Sequence, residues 1–268
     1  MIDLATLSVE QAALIDALLA DAAADAPRGL GGSAEPRAVC IRTGADRAPL
    51  FVIHGSGGRV LFLHALARHL PAEQPVYGIE AATDDSAEDA AHLRLGYAEA
   101  IRAVRPNGPY RIGGYSAGCL VAFAVAALLE VEFLLLIDPA SVPDPGDNAI
   151  PAGDARQRLG KRLEMARLAG VTPLSPEFSQ IARVNRALAR IVGDFCAEPI
   201  AGRIHLIHGT RGDYVPSPVT LAQWAHLTRG GMERAAIEAD HFEIVRDPHA
   251  ATTAGYIQTW LNRLDGRA

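Results

Sequence analysis

Apolar and polar positions change their period repeatedly along the 268-residue chain, and the changes lay out a fold. Short β-rich runs, "AVCIRTG" from Ala38 and "PLFVIHGSGG" from Pro49, come first. The second ends in a glycine cluster and passes into "VLFLHALARHL", where Val60, Leu63, His64, Ala67 and Leu70 recur at helical spacing. "PVYGIEA" predicts a further strand, and the stretch from cap residue Ser86 to Pro106 predicts a helix ended by its proline. Next come the strand "YRIGGY", a long apolar helix after Ser116, and "FLLLID", whose unbroken apolar run marks a central strand covered on both faces. Strands alternating with helices imply an α/β fold, a mostly parallel central sheet flanked by helices with right-handed crossovers.

Two segments break the alternation. Residues 8 to 25 read as an alanine-rich helix with Ser8 as its cap, followed by the linker "APRGLGGSAEP", so residues 1–36 are expected to be an appendage to a domain spanning 37–268. From about Pro143 to Pro199 two helical patterns lie between proline- and glycine-rich breaks without strands of their own. A helical lid insertion over the sheet's carboxyl edge is expected there; a dimer contact or simple cover for the sheet is the other use those residues leave open. The alternation resumes with "RIHLIHG", a helix near Val219 to Leu227, "RAAIEA" and a closing helix from about Pro248 to Leu264.

Composition narrows the function classes. A chain this long with 49% apolar residues can bury one full core and needs no second domain. The net charge of −6, without a basic block, argues against nucleic acid and anionic membrane as partners. Three scattered cysteines, Cys40, Cys119 and Cys196, carry neither disulfide nor metal spacing, so buried reduced thiols in a cytoplasmic protein are expected. No basic segment precedes a hydrophobic one near Met1, so no secretory signal is read, and Glu130 and Glu132 interrupt the longest apolar stretch before it reaches the ~20 residues of a membrane span.

The chemistry centres on "GGYSAG". A hydroxyl is a poor nucleophile at neutral pH and needs a base, which in turn needs an orienting acid. Gly114 and Gly118 flank Ser116 where a sharp strand-to-helix turn would crowd a Cβ, and such a turn lifts the hydroxyl above the sheet. An oxyanion would be met by the Ala117 N–H and by an N–H of Ser56 or Gly57 in "HGSGG". Of nine histidines, most fall inside strand or helix patterns; His241, in "EADHFEIV", follows a late β-rich run and precedes the closing helix, where the base of a Ser…Asp…His order belongs. Asp138, at the end of "FLLLID", and Asp213, one strand later, both suit the acid, and spacing does not separate them.

Taken together, "FVIHGSGG", "GGYSAG", "LLLID" and "DHFEIVRDPH" resemble, in order, the thioesterase domains that terminate nonribosomal peptide synthetases and polyketide synthases, over roughly Pro49 to Leu264. The resemblance implies the α/β-hydrolase fold, Ser116 as nucleophile, His241 as base and Asp138 rather than Asp213 as acid. It implies release of an acyl or peptidyl chain from the phosphopantetheine arm of a partner carrier protein, with no cofactor of the enzyme's own and no metal. Separate proofreading thioesterases usually read G-H-S-M-G at this turn; "GYSAG" is nearer the chain-releasing type. Two departures stand out: a short link between the helix after Ser116 and "FLLLID", and Cys119 where the family often has glycine. A small-molecule carboxylesterase, or a silent binding module on the same scaffold, are the alternatives.

Overall fold

The computed structural model describes residues 35–82, 89–142, 198–212 and 214–267, with isolated positions at 8, 10–13, 15, 163 and between 181 and 191. In chain order the elements are β1 (Arg37–Arg42), β2 (Leu50–Ile53), α1 (Leu63–His69), β3 (Val76–Glu80), α2 (Ala90–Val104), β4 (Tyr110–Tyr115) and α3 (Gly118–Ala126). β5 (Val131–Ile137), β6 (Ile204–Gly209), α4 (Pro218–His226), β7 (Met232–Ile237) and α5 (His249–Leu264) complete them.

The strands form one seven-stranded sheet in the order β1-β3-β2-β4-β5-β6-β7. All neighbours run parallel except β1, which pairs antiparallel with β3. A parallel partner needs a crossover of a dozen or more residues, and the link from β1 to β2 is too short for one.

Between β2 and β4 the strand order reverses direction, and the loops after these two strands therefore diverge around a crevice at their carboxyl ends. Parallel pairing brings Ile53 beside Gly114 and Tyr115 beside Ile137, so the ends of β2, β4 and β5 share one edge.

Two apolar layers clamp the sheet. On one side Phe51, Ile53, Ile112, Leu134 and Leu136 pack with α2 and α3; on the other Leu50, Val52, Leu135 and Ile207 pack with α1 and α5. Every residue of α3 is buried, as expected for a helix apolar on all sides. Cys119 belongs to this packing: its thiol is fully buried and donates to the Gly114 carbonyl at 3.2 Å. Cys40, expected to be buried, is exposed because it lies on the edge strand β1; Cys196 lies outside the described residues.

Helix α2 begins at Ala90 rather than near Ser86, with the Asp89 carboxylate accepting from the His92 N–H at 2.6 Å as its cap. Residues 83–88 are outside the described set. Near the N-terminus Ser8 does cap a helical turn: its Oγ accepts from the Gln11 N–H at 3.1 Å while Gln11 Oε1 accepts from the Ser8 N–H at 2.8 Å. The body of the expected N-terminal helix and linker, and most of the expected lid from 143 to 199, lie outside the described residues. The described positions between 181 and 191 are helical; Val184, Leu188 and Ile191 join the core on the α3 side. No helix among the described residues is long and apolar enough to cross a membrane.

Candidate active site

Ser116 sits in the turn between β4 and α3 with φ of 57°, a left-handed conformation that costs a non-glycine residue energy and marks a position held by its surroundings. The hold is visible on both sides. The Ser116 N–H donates to the Ile137 carbonyl at 2.9 Å, and the Ser116 carbonyl accepts from the Cys119 N–H at 3.0 Å. A Cβ on Gly114 would lie 2.2 Å from the Gly118 carbonyl oxygen, and one on Gly118 only 2.0 Å from that of His54. Both glycines are thus required by backbone approach: one lets the turn fold on itself, the other lets α3 press against the end of β2.

The three side chains singled out from the sequence meet in one hydrogen-bonded line. Ser116 Oγ is 3.0 Å from His241 Nε2, and His241 Nδ1 is 2.5 Å from Asp138 Oδ2. Asp138 is 2% exposed, and its second oxygen, Oδ1, accepts from the Gly209 N–H at 2.9 Å. Asp138 too has a left-handed φ, 47°, with its own N–H donating to the Ile207 carbonyl at 2.7 Å. The carboxylate is therefore fixed by the ends of β5 and β6, and the imidazole faces it from the loop after β7. Asp213, the other aspartate considered, lies outside the described residues.

His241 is held by more than its carboxylate. Tyr115 Oη donates to the His241 carbonyl at 2.7 Å, and the Tyr115 and Tyr214 rings stack on the imidazole at 5.1 and 4.9 Å. Burial, reinforced by the Asp138 charge, raises the Tyr115 pKa, so its hydroxyl stays a donor. Asp240 staples the following turn by accepting from the N–H groups of Phe242 and Glu243, each at 2.8 Å. Sequence reasoning passed over Tyr115 and Tyr214; the signal available for the first was its place inside the serine turn, and for the second there was none.

Opposite the serine lies the loop after β2. His54 is fully buried; its Nδ1 meets the Gly55 carbonyl and its Nε2 the Tyr97 hydroxyl, both at 2.5 Å. Burial drives the His54 pKa down to about 4, only partly offset by the Gly55 bond and the Glu80 charge. The ring is neutral, with the Nδ1–H donating to Gly55 and Nε2 accepting from Tyr97. The Gly55 carbonyl also accepts from the Gly58 N–H at 3.0 Å. A peptide unit is planar and trans, so pinning this carbonyl inward turns the Ser56 N–H of the same unit the opposite way. Ser56 and Ser116 line one cleft, and neither the Ser56 N–H nor the Ala117 N–H donates to an acceptor among the described residues. Two free donors therefore flank the serine, as an oxyanion would require.

The cleft encloses about 400 Å³, with Leu61, Phe62, Ile181 and Phe242 among its apolar walls. Ile181, from the segment expected to form the lid, is its one described contribution. Among the described residues no cluster of His, Cys, Asp or Glu is arranged to hold a metal ion.

A serine at a strained turn after a parallel strand, with an acid and a histidine from later strand ends, on a mostly parallel sheet between helical layers, is the α/β-hydrolase architecture. The sequence profile of the thioesterase domain matches residues 48–261, and the chain belongs to that family. Among curated proteins it is similar to a non-reducing polyketide synthase, stmB, of Aspergillus ustus, at 26% identity over 78% of this chain and 12% of that protein. It is also similar to a nonribosomal peptide synthetase, pngA, of Aspergillus terreus, at 30% identity over 52% of this chain and 16% of that protein. The chain thus spans a small fraction of these relatives. Among solved structures, the NocB thioesterase domain in covalent complex with a fluorophosphonate nocardicin G analogue superposes with a TM-score of 0.64 at 23% identity, covering 81% of this chain and 96% of that one. A four-domain nonribosomal peptide synthetase, AB3403, bound to AMP and glycine, gives 0.66 at 19% identity, covering 84% of this chain and 20% of its own length.

Proposed function

We propose that this thioesterase domain releases an acyl or peptidyl chain from the phosphopantetheine thioester of a carrier protein, in polyketide or nonribosomal peptide assembly, through an acyl-Ser116 intermediate. The observation that carries the reading is the unbroken line from Ser116 Oγ through the His241 ring to Asp138. The names of the similar synthases support the substrate class.

In this scheme Ser116 Oγ attacks the thioester carbonyl while His241 Nε2 takes the hydroxyl proton, and Asp138 stabilises the imidazolium and fixes its orientation. Negative charge developing on the carbonyl oxygen is met by the Ser56 and Ala117 N–H groups, donors already in place before the reaction and so needing no reorganisation. Collapse breaks the C–S bond; the thiol leaves with the proton held by His241, and the acyl group stays on Ser116. The imidazole then takes a proton from water, or from a nucleophile within the chain itself, which attacks the ester and frees Ser116. The enzyme calls on no cofactor of its own, since the phosphopantetheine belongs to the partner. Leu61, Phe62 and Phe242 offer the acyl chain an apolar wall beside Ser116.

Intact-protein mass spectrometry after incubation with a thioester tests the scheme. The wild type is expected to gain the acyl mass and Ser116→Ala to gain none, with fluorophosphonate labelling following the same pattern. Labelling at another residue, or full thioester turnover by Ser116→Ala, overturns it.

A further inference from the structure

Arg246 lines the cleft beside Ser116 and His241, and it is exposed at the end of the short 3₁₀ turn Glu243–Val245. Three carboxylates lie within six residues of it in the chain, and none forms an ion pair with it. Asp247 accepts from Arg68 at 2.6 Å and pairs with His69 at 2.7 Å. Glu243 accepts from Arg211 at 2.6 Å and from the Asp240 N–H at 3.0 Å. Asp240 Oδ1 is taken by the two backbone N–H groups of the turn. Among the described residues the Arg246 guanidinium has neither an ion-pair partner nor a hydrogen bond.

A second cation lines the same cleft. Arg59 follows β2, and its Nη1 is 3.1 Å from Glu80 Oε2, an oxygen that also accepts from Arg37 at 2.7 Å. Two arginines share one carboxylate, so this trio carries a net positive charge. Among the described residues no Asp or Glu lines the cleft. A chain with a net charge of −6 thus directs surplus positive charge at the space in front of its serine.

Guanidinium groups are weakly hydrated and offer paired donors that match carboxylate and phosphate oxygens. We propose that Arg246, with Arg59 in support, binds an anionic group of the substrate, a phosphodiester or a carboxylate. This rests on the thioesterase reading above and deepens it by naming a charge the substrate carries. His241 and Arg246 flank the same short turn and line the same cleft, so an anion gripped by the arginine is held near the imidazole. Two sources offer that chemistry: the phosphodiester of a carrier's arm, or a carboxylate within the acyl chain.

The test compares kcat/KM for three substrates: pentanoyl-N-acetylcysteamine, which is neutral; pentanoyl-phosphopantetheine, with the anion in the arm; and glutaryl-N-acetylcysteamine, with the anion in the acyl chain. The wild type is expected to favour at least one anionic substrate over the neutral one by roughly 10- to 100-fold, the scale of a charge-assisted hydrogen bond. Salt raised from about 0.05 M to about 0.5 M should shrink that ratio. Arg246→Ala should abolish the ratio, Arg246→Lys keep part of it, and Arg59→Ala reduce it. Because the ratio is internal to each variant, a smaller folded fraction cancels. Preference for pentanoyl-phosphopantetheine assigns the anion to the arm, and preference for the glutaryl thioester assigns it to the acyl chain. Turnover with no anionic preference, or a ratio unchanged in Arg246→Ala, overturns the inference and leaves the thioesterase reading intact. Absence of turnover and of acyl-enzyme with all three substrates counts against the thioesterase reading itself.

Discussion

Asp138 directly follows β5 and Gly209 ends the neighbouring β6, and the Gly209 N–H donates to one carboxylate oxygen of Asp138 at 2.9 Å while the other oxygen faces His241 at 2.5 Å. Asp138→Asn preserves the shape of this arrangement but sets an amide that can also donate against His241 Nδ1. With the amide donating, the ring proton moves to Nε2, where it opposes acceptance of the Ser116 proton. A loss of ~10⁴-fold in kcat is expected, the scale known for an orienting acid, with stability little changed. Steady-state kinetics on Asp138→Asn and Asp213→Asn decide the assignment; a larger loss at Asp213 would move the acid there.

Gly118 and Gly255 both sit in helices, yet they should respond oppositely to alanine. At Gly118 the added methyl would meet the His54 carbonyl at 2.0 Å, a backbone atom that cannot swing aside, whereas at Gly255 it meets nothing within 4 Å. Gly255→Ala is expected to stabilise the protein by about 0.5–1 kcal/mol, the usual gain from replacing a mid-helix glycine. Gly118→Ala should cost more than about 3 kcal/mol, as overpacking against a rigid neighbour does, and should uncouple α3 from the end of β2. Denaturant midpoints of the two variants check both signs.

Tyr97 lies far from the serine in the chain but supports the loop opposite it, through the His54 ring. Tyr97→Phe leaves the buried His54 Nε2 without its donor, a loss of about 1–3 kcal/mol in stability. If the ring is what aims the Ser56 N–H, kcat should also fall about tenfold with KM within about twofold, the pattern of an interaction felt in the transition state. A destabilised Tyr97→Phe enzyme with unchanged kcat would reduce the pair to packing.

Local signals carried much of this in the sequence. Strand and helix periods located the sheet, and the glycines around Ser116 announced the tight turn because backbone crowding admits no other residue there. His241 was legible from its place after the last strand. What composition and spacing left open was the choice between Asp138 and Asp213, since both follow strand ends; the contact between the Asp138 carboxylate and His241 joins loops far apart in the chain, which spacing does not report. The direction of β1 is not legible in the sequence, because the period of a strand is the same either way. His54 read as a strand-end residue, and its two hydrogen bonds depend on Tyr97, which a one-dimensional pattern cannot bring near. Arg246 likewise gains meaning only once Asp247, Glu243 and Asp240 are seen turned to other partners.

His54 and His205 together set an acid limit on stability. His54 is fully buried, and His205 is 9% exposed, with its ring 4.4 Å from Phe133 and 5.1 Å from Trp260 and its Nδ1 without a hydrogen-bond partner among the described residues. Burial lowers both pKa values to about 4, with nearby carboxylates only partly opposing it. In the unfolded chain each returns to about 6.5. Above that value both states hold neutral rings and stability does not depend on them. Between about 6.5 and about 4 the unfolded state binds protons that the folded state refuses, so stability falls as pH falls, by up to about 1.4 kcal/mol per pH unit for each histidine. Below about 4 both states are protonated and this contribution levels off. Denaturant unfolding of the wild type and of His205→Gln across that window isolates one histidine from the carboxylates that titrate lower. The variant should show a shallower dependence near pH 5, by about 1.4 kcal/mol per pH unit, and an unchanged one above pH 7. Parallel curves for the two proteins would mean that the His205 ring is protonated in the fold as readily as in the open chain.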